Sequence, residues 1–344
     1  MSVYASIMFC VILYNMAGSY NNSIWTLTAA ALRSLRFTVL TLVFMIPALI
    51  LAGCGGGGAA AAQTEPEEDV IGSRDCTPEV LVPEHPGTEV LGNEEAEIDI
   101  TRIADGYFSA AYHGDSKKVK LQMTADAGLT YTYDLVPDGS WNVFPVSDGN
   151  GHYILGIYSN IEATMYAEVY STELDVTLTD EFIPFLYPNQ YVWFTEDTRA
   201  VARGAELCRS ADTDLDCVTK IYQYVTENIV YDREEAENVQ SGYLPDVDEV
   251  MDTGKGICLD YSALMASMLR SQGIPTRMEV GYAGTAYHAW ISCYLDEIGW
   301  INSLIYFDGE NWSMMDPTMA ASQGEKKLKK FIGDGTNYRR LYLY

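Results

Sequence analysis

The chain has 344 residues, long enough for two domains plus targeting and linker sequence. Its 21 Lys+Arg stand against 48 Asp+Glu, a formal net charge of −27. Such a surface repels nucleic-acid phosphate and no basic cluster offsets it, so nucleic acid is excluded as a partner.

Residues 33–54 read RSLRFTVLTLVFMIPALILAGC. Arg33 and Arg36 precede an apolar run from Phe37 to Ala52, and the run meets Leu51-Ala52-Gly53-Cys54. A basic start, a short apolar core and small residues before a cut mark an export signal. The run is short for a spanning helix. The last four residues resemble a bacterial lipobox, which implies cleavage before Cys54 and lipidation of that cysteine. Residues 1–53 are therefore read as a signal segment. Translation is expected to start near Leu32, because residues 1–31 hold no charged side chain and a second apolar patch, VYASIMFCVILY. Residues 54–95 follow as the lipidated Cys54 and a flexible linker, since GGGGAAAAQTEPEED has no apolar face. The expected location is the extracytoplasmic face of a bacterial cell membrane, held by lipid. In that compartment Cys76, Cys208, Cys217, Cys258 and Cys293 are able to pair, and Cys208 with Cys217 is the nearest couple in sequence. The odd number leaves at least one thiol without an intramolecular partner.

Residues 96–195 alternate as short strands. KKVKLQMT puts Val119, Leu121 and Met123 on one side, and LTYTYDL, GHYILGIYS, MYAEVYST and ELDVTL follow, separated by ADAG, PDGS and SDGNG turns. This spacing predicts an all-β, immunoglobulin-like sandwich. It shows no cofactor motif and no metal spacing; His113 and His152 read as ordinary strand or surface histidines.

The period then changes. In TDLDCVTKIYQYVTENIVYD, Leu215, Val218, Ile221, Tyr222, Val225 and Ile229 recur at three- and four-residue steps, an amphipathic helix capped by Thr213 with Asp216 three residues on. A polar loop from Tyr231 to Asp248 leads to GKGICLDYSALMASMLRSQGIPTR, in which Gly254 and Gly256 break the chain and a helix runs from Leu259 to Ser271. Cys258 sits at its N-terminus, off the apolar stripe. The free N–H groups and positive dipole end there favour thiolate over thiol and offer an oxyanion donor.

A thiol nucleophile needs an imidazole. His288, in GTAYHAWISCYL, is the only histidine after residue 195 and starts an alternating strand. A third group should orient the ring. Asp316, in ENWSMMDPT, ends a short strand expected to lie beside the His288 strand; Asp296 and Asp308 are rivals in exposed turns.

Residues from about Thr213 to Thr318 resemble the transglutaminase-like, papain-fold superfamily, on the blocks GKGICLDYSALMASMLRSQGIPTRMEVGY, YHAWISCYL and WSMMDPT in that order. The resemblance implies an α+β domain, residues 196–344, in which a Cys-bearing helix packs on an antiparallel sheet. It also implies a Cys258–His288–Asp316 triad. The residues show no calcium loop of the EF-hand kind, and no cofactor or metal is expected. The family's second oxyanion donor has Tyr243 as its candidate here, with Tyr231 as the other choice. The implied activity is thiol acyl transfer on protein or peptide amides, as peptidase, amidase, deamidase or transglutaminase. The expected surface location makes cell-wall peptides or neighbouring surface proteins the expected substrates. The alternative is a non-catalytic binding lipoprotein with a relic triad.

Overall fold

The computed structural model describes residues 71–126, 128–283, 285–301, 305–307, 312–314 and 338–344. The strands β1 (Val90–Gly92), β2 (Ala96–Asp99), β3 (Tyr107–Tyr112) and β6 (Asn142–Pro145) form one four-stranded antiparallel sheet. A second has the order β5 (Thr130–Leu135), β4 (Val119–Ala125), β7 (Gly151–Glu162), β8 (Met165–Val176). The alternation in KKVKLQMT is realised: Val119, Leu121 and Met123 are buried against Ile98, Phe108 and Tyr133 in one core. The two sheets are a sandwich, and it begins at β1, ahead of the expected boundary at residue 96.

The linker expected over 54–95 needs correction for its described part. From Ile71 the chain is a strap fastened at both ends. Gly72 and Arg74 donate their amides to Arg209 and Ala211, and Glu79 donates to Ser271. Arg74 pairs with Asp214 at 2.6 Å. Further on, Glu84 donates to the Tyr107 hydroxyl and Gly87 to Asp99. Backbone groups make most of these bonds, so composition gave no sign of them.

The second lobe starts with α1 (Arg199–Cys208) and α2 (Asp214–Asn228). Thr213 and Asp216 exchange bonds at 3.1 and 3.0 Å, the reciprocal cap the sequence predicted. Cys208 and Cys217 are joined by a disulfide, which closes the turn between these helices, while Cys76, Cys258 and Cys293 are free. The loop expected after Tyr231 contains two short helices, α3 (Arg233–Asn238) and α4 (Val247–Thr253). The parallel pair β9 (Val230–Tyr231) and β10 (Lys255–Gly256) draws the end of α2 against the start of α5 (Cys258–Arg270).

α5 is buried along nearly its whole length. Leu264, Met265, Met268 and Leu269 pack on Ile291, Cys293 and Leu295 of a four-stranded antiparallel sheet. Each such side chain stabilises the helix by roughly 2 kcal/mol through burial. The sheet has the order β13 (Gly299–Ile301), β12 (Ala286–Leu295), β11 (Thr276–Ala283), β16 (Tyr338–Leu343). The final strand completes the sheet, and its end is buried at Leu343 and Tyr344. Tyr344 meets Tyr191 at 4.2 Å and Tyr133 at 6.0 Å between ring centroids, so the aromatic core of the sandwich continues onto this sheet. Arg270, buried at the end of α5, donates to the carbonyls of Thr276, Tyr187 and Tyr344 at 2.9, 2.7 and 2.9 Å. One guanidinium thus ties the helix, the exit from the sandwich and the last strand.

Candidate active site

The approach to Cys258 is built by glycines and a carboxylate. Gly254 has φ +62° and ends α4 in the left-handed region, where a side chain is strained. Gly256 does more than break the chain. A Cβ there would come within 2.7 Å of the Asp260 Cβ, so only glycine lets Asp260 fold back over the turn. Asp260 then accepts the Ile257 amide at 2.7 Å, which closes the first turn of α5 around the thiol-bearing residue.

Cys258 is half-buried. Its thiol is met by the backbone N–H groups of Ala289, Leu259 and Cys258 itself. The Ala289 contact matters most for the site, because Ala289 follows His288 on β12: the helix start and the histidine strand touch at the sulfur. The thiolate preference expected from the helix N-terminus is overturned. Desolvation pushes the thiol up to about 11, with the Asp260 charge adding to it, and the three amides offset only part of the rise.

His288 is buried, at 4% exposure, and stacks on Trp290 with ring centroids 6.4 Å apart. Burial lowers its pKa to about 4. The resting pair is thus a neutral thiol and a neutral imidazole. His288 lies opposite Gly281 on β11. Two positions on, Glu279 accepts the Ser292 hydroxyl at 2.6 Å and faces Arg340 at 4.0 Å, so that carboxylate is committed elsewhere.

Asp316 lies outside the described residues, as do Asp308 and the lipidation candidate Cys54. The strand that leads to Asp316, β15 (Trp312–Met314), pairs with β14 (Ile305–Phe307). It does not pair with β12, whose described partners are β11 and β13. Asp296 is an exposed residue after β12, as a turn aspartate should be.

The two tyrosine candidates separate clearly. Tyr243 donates its hydroxyl to Asp260 at 2.8 Å, and burial followed by the Asp260 charge raises its pKa far above the usual tyrosine value. Tyr231 is paired in register with Gly256, two residues before the thiol. Burial, then the interaction with Cys258, takes its pKa up to about 12, so it is a protonated donor at neutral pH. The sequence reading missed two features. One is Asp260, whose signal was an acid at the third helical position. The other is the Ala289 amide, which carried no signal. Tyr287, 57% exposed beside His288, meets the Tyr282 ring edge-on at 5.6 Å between centroids and interacts electrostatically with Cys258. Among the described residues, no three His, Cys, Asp or Glu side chains converge as metal ligands.

Residues 201–303 match the transglutaminase-like superfamily. A protein-glutamine gamma-glutamyltransferase of Pseudomonas aeruginosa is 33% identical over 107 residues, which is 26% of this chain and 14% of that relative's length. Among solved structures, a candidate cysteine protease from Cytophaga hutchinsonii overlays with a TM-score of 0.33 at 12% identity, covering 69% of this chain and 83% of that one. Red sea bream transglutaminase overlays with a TM-score of 0.25 at 14% identity, covering 64% and 49%. The helix-borne cysteine, the histidine strand against it and the match over this segment agree: the C-terminal lobe carries a transglutaminase-like domain over residues 201–303.

Proposed function

We propose that this chain is an extracytoplasmic, lipid-tethered thiol acyl-transfer enzyme that cleaves or transfers protein or peptide amides, with Cys258, His288 and Asp316 as its triad and Cys54 as its anchor. The observation that carries this reading is the contact of the Ala289 amide with the Cys258 thiol, which joins the helix start to the histidine strand. In the proposed reaction the neutral His288 imidazole takes the thiol proton as sulfur attacks the amide carbonyl. This neutral start follows from the buried pair, whose pKa values lie near 11 and 4. The C–N bond then breaks, His288 gives its proton to the departing amine, and a thioester remains on Cys258. Water or a second amine opens the thioester and restores the thiol. Asp316 would hold the imidazole and stabilise its charged form.

The backbone N–H groups at Cys258 and Leu259, with the Tyr231 hydroxyl, are the donors proposed for the developing oxyanion. Tyr243 is set aside for that role because its hydroxyl is bound to Asp260. Hydrolysis ranks above transamidation, since water is always present and an amine acceptor needs its own site. The Pseudomonas aeruginosa relative, named for glutamyl transfer, keeps the amine outcome as the alternative.

The test is a panel of glutaminyl peptides with and without a labelled primary amine, following ammonia release and label uptake. Cys258→Ala and His288→Ala should each lower turnover by about a thousandfold or more. Unchanged turnover in Cys258→Ala would rule the nucleophile out.

A further inference from the structure

The carboxyl of Asp260 is a buried titratable group that the acyl-transfer steps do not use. The residue is 1% exposed. One oxygen accepts the Ile257 amide at 2.7 Å, in the turn just before the thiol. The other accepts the Tyr243 hydroxyl at 2.8 Å, which secures the loop between α3 and α4. Glu235 of α3 and Glu249 of α4 act on it as like charges, and Tyr231 of β9 and Cys258 on its own helix feel its charge in turn. Burial, followed by those like charges, takes the carboxyl up to about 6 against the pull of its two hydrogen bonds.

Helix capping alone does not account for such a residue. Ser, Thr or Asn caps a first turn without burying a charge among other anions. A carboxylate kept there under unfavourable conditions has an effect that a neutral cap would lack. That effect falls on Cys258, two residues away, where the Asp260 charge opposes ionisation of the thiol.

Building on the reading of Cys258 as the nucleophile, we propose that Asp260 is a positioning residue. One carboxylate oxygen fixes the turn that carries the thiol, the other holds the Tyr243 loop against it, and the negative charge adds to burial in keeping the resting nucleophile a thiol. Thiolate then forms only as His288 takes the proton in the presence of substrate, and the resting sulfur is spared from passing oxidants and electrophiles.

The test follows modification of Cys258 by methyl methanethiosulfonate in the full-length chain across pH 5–10. Mass spectrometry of the Cys258 peptide keeps Cys76 and Cys293 apart from it. Asp260→Asn keeps shape and polarity but removes the charge, and should raise the rate at pH 8 by on the order of tenfold. Tyr243→Phe keeps the charge and loses the loop's bond, so its alkaline limb should coincide with that of the wild type. In the wild type, log rate against pH should have a slope below one near pH 6, where Asp260 takes up its proton.

Equal rates in wild type and Asp260→Asn, equal acceleration in both variants, or a wild-type slope of one throughout would each overturn the proposal. The wild-type slope decides the matter should Asp260→Asn not fold. Modification needs no turnover, so a negative result here leaves the turnover test of Cys258→Ala standing.

Discussion

Asp260 makes a measurable demand on stability. Its carboxyl moves from an ordinary 3.8 to about 6 on folding, at 1% exposure. The native state therefore binds a proton more tightly than the unfolded chain. The resulting stabilisation is fully present below 3.8 and is lost as pH rises through about 6. The full span corresponds to about 3 kcal/mol, of which about 2 kcal/mol is regained on going from pH 7.5 to 4.5. Asp260→Asn has no such proton. Its unfolding free energy relative to wild type should fall by about 2 kcal/mol over the same interval. The assay is urea unfolding followed by tryptophan fluorescence at half-unit pH steps. Because the comparison is between pH values, any constant gain or loss from the new amide drops out. A difference between variant and wild type that stays flat with pH would refute the reasoning, and would mean that Asp260 titrates like an exposed carboxyl.

His288 should show the opposite sign. Its pKa falls from 6.5 to about 4 on burial, so its contribution is present above 6.5 and is lost as pH falls through about 4. In the same assay His288→Gln should gain on wild type by up to about 3 kcal/mol on acidification. The Cys208–Cys217 disulfide closes a loop with a sequence separation of 9. Replacing both cysteines by serine should cost about 2.5 kcal/mol of unfolding free energy, read as a lower urea midpoint. Arg270→Lys cannot reach the Thr276, Tyr187 and Tyr344 carbonyls together. It should cost about 3 kcal/mol by the same measurement.

Local signals were legible in the sequence, and signals that depend on surroundings were not. The α5 stretch could be read because its apolar stripe and flanking glycines are encoded within a few turns, and its bounds lie within one residue of the expectation. The Thr213 cap was readable for the same reason. The acidity of the Cys258 thiol was misjudged because the helix end is a local feature and burial is not. A helix terminus contributes about 1 kcal/mol, whereas desolvation of a thiolate in the interior is worth several. Choosing between Tyr231 and Tyr243 required the β9–β10 pairing, which no periodicity announces. The strap from Ile71 reads as a tether because most of its fastenings are backbone amides bonded to distant residues. The aromatic continuity from the sandwich to β16 was hidden for a similar reason: 25 tyrosines suggest pleated surfaces but not which surfaces meet.

The central claim is that Cys258 carries an acyl group during turnover. The most direct measurement mixes the full-length chain with a glutaminyl peptide, quenches in acid within milliseconds to seconds, and maps the modified peptide by mass spectrometry. A thioester adduct confined to the Cys258 peptide, absent in Cys258→Ala and strongly reduced in His288→Ala, is the predicted result. Turnover of the same peptide with the adduct elsewhere, or undiminished in Cys258→Ala, would contradict it.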